Sequence, residues 1–146
     1  ENGEATDLFV SANFDAVSVA AAYQTFQDAG SDHDVDTWGV SAEFDAGFAT
    51  IGADYSSSEE DGSNVETDVT NLVASFKASK TTKFKVGYVK LDSDNDSADA
   101  DTFYANVTYK FPAQKNVSLF AEISSTDFDN GDDVDEDILA GMRIKF

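Results

Sequence analysis

Carboxylates are the side chains of this sequence best placed to do chemistry, and they come in runs. "DSDNDSADAD" covers Asp92 to Asp101, and "STDFDNGDDVDED" covers Ser125 to Asp137. Acids at alternate positions offer the hard oxygen ligands that calcium or magnesium prefers. The best-known calcium loop needs glycine at its sixth position and a carboxylate at its twelfth. Counted from Asp92, those positions hold Ser97 and Phe103, so the match fails. Loose bridging of divalent cations between loop acids stays open beside the plainer reading, in which the acids keep loops solvated. No nucleophile, base and orienting group occur together, and no glycine-rich loop suits a phosphate. The sequence therefore points away from an enzyme and names no catalytic residue, no metal site and no cofactor.

The whole composition narrows the classes further. The chain has 146 residues with 29 acids against 9 basic residues, a formal net charge of −20. Such a balance repels the phosphates of nucleic acid. There is no cysteine, and the one histidine, His33, lies in an aspartate-rich stretch. Disulfide frameworks and thiolate metal sites are excluded, and a conventional histidine-based metal or catalytic cluster is not expected. No run approaches the roughly 20 apolar residues of a membrane helix. No signal peptide is visible ahead of Glu1, which leads one to expect that an N-terminal part was removed or lies outside this chain. Yet twelve Phe, five Tyr and one Trp are far too many aromatics for a disordered acidic chain. Acids and rings must be segregated.

Period-two alternation shows how. "ILAGMRIKF", from Ile138 to Phe146, places Ile138, Ala140, Met142, Ile144 and Phe146 on one face and more polar residues between them. The same pattern predicts nine strands near 6–15, 17–26, 36–45, 48–56, 68–78, 83–91, 102–111, 117–125 and 137–146. Short turns alternate strictly with long loops near 27–35, 57–67, 92–101 and 126–136, which is the order of an antiparallel up-and-down meander. Pro112 falls in a short turn, as its missing N–H requires. Phe14, Phe44, Phe76, Phe84, Tyr109, Phe111 and Phe146 lie beside short turns, and Tyr23, Trp38, Tyr55 and Phe103 lie nearer long loops. Rings at both ends of an apolar face, with small aliphatics between, are what a membrane-spanning barrel carries outside. Strands of about ten residues, tilted roughly 40°, would span about 25 Å, the apolar height of an outer membrane. The predicted fold is an all-β transmembrane barrel region forming a single unit.

Charge is sorted by end. The long loops are acidic and contain no Lys or Arg, and Asp92, Asp94, Asp96, Asp132, Asp133 and Asp135 are the expected members of an acidic mouth. Such a mouth would gather cations at low salt. The intervening, water-facing positions include Glu43, Asp54 and Glu122, with Lys77, Lys85, Lys110, Arg143 and Lys145 towards the short-turn end. These are the candidate pore-lining residues, since opposed charges in a narrow aqueous pore sort solutes by charge. For each residue singly, hydration of the wall or pairing across strands is an equally good account. Val89, Leu91, Phe120 and Leu139 break the polar face.

The repeated units "FDAGFATIGADYSSSEEDG", "VGYVKLDSDND" and "YANVTYKF", together with the ending "AGMRIKF", resemble the C-terminal half of a Gram-negative outer-membrane general porin. The resemblance covers essentially the whole chain. It implies that these strands are part of a sixteen-stranded barrel and that roughly the first half is missing here. It also implies passive diffusion of small hydrophilic solutes and ions, assembly as a homotrimer, and a place among outer-membrane lipid and lipopolysaccharide. Phe146 would then belong to the signal read by the barrel-assembly machinery. Two other readings come from the residues themselves. Strands two to nine could close as an eight-stranded barrel, too narrow for an open channel and suited to an anchor or receptor. A soluble acidic β-protein or adhesin fragment is the third.

Overall fold

The computed structural model describes residues 4–27, 33–62, 65–94, 98–114, 116–129 and 135–145. They form nine strands: β1 (Glu4–Phe14), β2 (Val17–Gln27), β3 (Asp34–Asp45), β4 (Ala49–Glu60), β5 (Glu66–Lys77), β6 (Thr82–Ser93), β7 (Ala100–Lys110), β8 (Val117–Phe128) and β9 (Asp135–Ile144). Each pairs antiparallel with its sequence neighbours in one sheet ordered β1 to β9. The meander is as the alternation predicts. The sheet does not close on itself: β9 pairs with β8 alone, and β2 pairs with β1 and β3. Strands two to nine therefore do not form a closed eight-stranded barrel here.

The strands run further towards the long-loop end than apolar alternation suggests. β4 continues through Ser57 and Ser58 to Glu60, and β6 through Asp92 to Ser93. Nothing apolar marks these residues, but a two-strand ladder needs only its backbone donors and acceptors to persist. Side chains support the extension: Thr37 and Ser58 share a hydrogen bond of 2.8 Å, and Thr102 and Thr126 one of 2.9 Å. At the other end the turns are tight. Asp15 adopts φ 52°, in the left-handed region that aspartate tolerates. Gly47 has φ 83°, and its N–H donates to Asp45 Oδ1 at 2.8 Å, an Asx turn.

Nowhere among the described residues is an apolar side chain buried; only Ser57 and Ser75 are. Large apolar groups instead stand open, with Leu8 67 %, Phe103 62 % and Ile138 83 % exposed. The register puts them together. Val19, Ala42, Ala53, Leu72, Tyr88 and Phe103 follow one another across six strands, all on one face. A sheet of this length cannot leave that face in water, because burial of apolar area is the main driving force for folding.

Candidate pore wall

Parity along each strand decides which side chains share a face, and the ladder carries the assignment from strand to strand. On the polar face, Ser75, Lys85, Asn106 and Glu122 follow one another across β5 to β8. Glu43 lies between Ser18 and Gly52, Lys77 opposite Lys83, and Lys110 opposite Ser118 with Arg143 beyond it. The sequence-derived candidates Glu43, Asp54, Lys77, Lys85, Lys110, Glu122 and Arg143 thus share this face. Lys145 follows β9, and its backbone N–H donates to the Asn116 carbonyl at 2.9 Å.

Some of these residues are tied down. Asn71 donates from Nδ2 to Asp54 Oδ2 at 2.8 Å, and the Tyr104 hydroxyl reaches Asn71 Oδ1 at 3.5 Å. Asn106 donates to Glu122 Oε2 at 3.3 Å. Among the described residues the one ion pair joins Lys90 to Asp92, so Lys85, Arg143 and Glu122 have no ionic partner there. These three surround a groove of about 310 Å³ together with Tyr104, Asn106 and Phe120.

Two aromatic residues also stand on this face: Phe120, which interrupts the polar alternation, and Tyr104. Both rings cover the glycine opposite. A Cβ on Gly87 would come within 2.2 Å of Tyr104 Cζ, and one on Gly141 within 2.6 Å of Phe120 Cζ. Gly87 is opposite Tyr104, and Gly141 opposite Phe120. A large aromatic directly across from a glycine is the signal that finds them, but it becomes readable only when the register is known.

The acidic-mouth candidates separate. Asp92 is within β6, at the parity of Tyr88 and Lys90, so it stands on the apolar side of the sheet's rim, paired with Lys90. Strand β6 outlasts its apolar residues, which is why the residue is in a strand and not in a loop. Asp94 caps the β5–β6 ladder by accepting the Glu66 N–H at 3.1 Å. Asp135 opens β9 opposite Thr126, on the polar face. Asp96, Asp132, Asp133 and Phe146 lie outside the described residues.

On the apolar face the rings form two bands. Phe76 stacks on Phe84 with centroids 5.7 Å apart, and Tyr109 meets Phe111 edge-on at 5.3 Å, both near the short turns. Trp38 and Tyr55 lie 5.4 Å apart, and Tyr88 and Phe103 4.8 Å apart, near the long loops. The second band has a repeated attachment. Tyr23 donates to Asp36 at 2.9 Å and Tyr88 to Asp101 at 2.5 Å, in each case thirteen residues on and diagonally across the hairpin. Tyr55 faces the Asp68 carboxylate in the same relation. Each ring stays in the apolar zone while its hydroxyl reaches a carboxylate at the water boundary, as amphipathic side chains do at an interface. Tyr88→Phe should remove a bond to a charged acceptor, read as a lower urea midpoint for the barrel folded in lipid.

Comparison with known proteins agrees with this geometry. The Gram-negative porin family model matches residues 1–131. No curated protein matches the chain by sequence. Among solved structures, a loop-L8 deletion mutant of OmpT, an outer-membrane protein of Vibrio cholerae, superposes with a TM-score of 0.79 at 25% identity, over 97% of this chain and 53% of that one. Outer-membrane expressed OmpT of Vibrio cholerae gives 0.77 at 23% identity, over 97% and 56%. An anion-selective porin from Comamonas acidovorans gives 0.77 at 15% identity, over 94% and 48%. The chain spans about half the length of these structures. Its apolar face, ring bands and nine-stranded meander are those of an outer-membrane β-barrel, and the chain belongs to the Gram-negative porin family.

Proposed function

We propose that these strands form about half the wall of a sixteen-stranded, water-filled channel for passive diffusion of small hydrophilic solutes and ions. The observation that carries this reading is the division of the sheet into an apolar face with no buried side chain and an opposite face bearing Lys85, Glu122 and Arg143. Lipid covers the first, and water wets the second. The half-length match to solved porins supports the larger barrel, in which further strands pair with the free edges of β1 and β9. One OmpT structure is a trimer form, which supports a homotrimer here. In this reading outer-membrane lipid and lipopolysaccharide surround the barrel, the barrel-assembly machinery reads the strand that ends at Phe146, and no reaction is catalysed. The pore-lining set is Glu43, Asp54, Lys77, Lys85, Lys110, Glu122, Arg143 and Lys145.

The channel prefers cations, because its long loops are acidic and free of Lys and Arg. The neighbour from Comamonas acidovorans is anion-selective, so the family fold leaves the sign to side chains. The test is the reversal potential of the full-length protein in planar bilayers under a potassium chloride gradient. Replacing Asp94 and Asp135 by asparagine should lower the cation-to-anion permeability ratio roughly twofold at 0.1 M salt, where the screening length is about 10 Å. At 1 M, with a length of about 3 Å, the change should nearly vanish. Absence of salt-proportional conductance steps would remove the channel reading, whereas anion selectivity would remove only the preference.

A further inference from the structure

We propose that the groove beside Phe120 is a subsite for small zwitterions that carry a flat apolar group, such as an aromatic amino acid or a short peptide containing one. The proposal rests on the channel reading above and names the solute that the wall would retain. Three observations converge on it. First, the groove holds charges of both signs, Lys85 and Arg143 against Glu122, with no ionic partner among the described residues. A fixed pair of opposite charges on a wetted wall is neutralised by a solute that brings both signs itself. Second, the charges are held apart. Lys85 and Glu122 belong to the same transverse row with Asn106 between them, so their strands are two spacings, about 10 Å, apart. That separation leaves room for a solute between them, and Asn106 holds the Glu122 carboxylate from one side at 3.3 Å.

Third, the floor is aromatic. Phe120 lines the groove, and its ring tip covers Gly141, where a Cβ would approach Cζ to 2.6 Å, so the glycine opposite fixes where the ring sits. Tyr104 closes the long-loop side of the groove while lying over Gly87. An apolar ring on the solute stacks on Phe120, its carboxylate meets Lys85 or Arg143, and its ammonium meets Glu122. A zwitterion also fits the approach. With no net charge it is neither expelled by the acidic loops, as a simple carboxylate would be, nor held in them, as an amine would be.

The experiment uses the full-length protein in planar bilayers at 0.1 M potassium chloride, with L-phenylalanine, phenylacetate and 2-phenylethylamine as separate probes. Block of the ionic current and its concentration dependence are read. L-Phenylalanine should block at the lowest concentration. Glu122→Gln and Arg143→Gln should each raise its blocking concentration about tenfold, the loss of one charged hydrogen bond. Phe120→Leu should raise it as well, while Lys80→Gln, in the turn between β5 and β6 and outside the groove, should leave it unchanged. Normal conductance steps with no block by L-phenylalanine would overturn the subsite and leave the channel reading standing. Equal block by phenylacetate, or no change in the Glu122→Gln variant, would overturn the zwitterion class. A protein that folds but gives no steps would overturn the channel reading and the subsite together.

Discussion

An arginine at Val40 should destabilise the folded barrel by about 2–4 kcal/mol, the cost measured for such a charge on the lipid face near the bilayer midplane. Val40 is half-exposed on the apolar face, between Trp38 in one ring band and Phe44 towards the other end. An arginine there is too far from either water boundary to extend its guanidinium fully into the headgroups. Its neighbour gives the control. Ser41 has the opposite parity and lies across from Asp54. Ser41→Arg should leave the urea midpoint almost unchanged, because water and a carboxylate receive the new charge. Equilibrium unfolding of the two variants in phospholipid vesicles makes the comparison. Equal cost at both positions would mean that the faces are misassigned.

The second large effect is expected at Gly87. An added Cβ would come within 2.2 Å of Tyr104 Cζ and 2.3 Å of its hydroxyl oxygen. The three nearest atoms all belong to that ring, so the ring must give. In Gly87→Ala the Tyr104 ring leaves the wall and its hydroxyl loses Asn71, at a stability cost of about 1–3 kcal/mol typical of overpacking. The displaced ring turns into the water-filled side, so single-channel conductance should fall. Adding Tyr104→Ala to Gly87→Ala should restore conductance to that of the wild type or above it. Should the double variant stay as low as the single one, the ring is not what narrows the path.

Much of this molecule was legible in its sequence, because a two-sided sheet writes its environment into every second residue. The alternation at Ile138, Ala140, Met142 and Ile144 gives β9 its two faces before any coordinates are known. The order of short turns and long loops gives the neighbours of each strand, and the meander follows. Where the signal failed, the physical reason is local. Ser57 to Glu60 carry no apolar marker, yet the backbone ladder of β4 carries them in strand form above the apolar zone. Asp92 looks like a loop acid until β6 is seen to hold it beside Lys90. The wall aromatics were the least readable part. Phe120 looks like a defect in a polar row, and Tyr104 gives no sign at all, since the glycine that accommodates each is on another strand. Pairing register is a property of two strands together, and no single-strand pattern contains it.

The lack of a buried apolar interior among the described residues bears on how freely such a chain can drift. In a water-soluble domain, each interior side chain is shaped by those around it, and a lost methylene leaves a hole that its neighbours cannot fill. Here the medium touching Leu8, Ile138 and Phe103 is fluid, and it refills any gap that a smaller residue leaves. Outward positions need only remain greasy, with no requirement of mutual fit. That latitude accounts for a backbone that superposes with a TM-score of 0.77 on a porin sharing 15% of its residues.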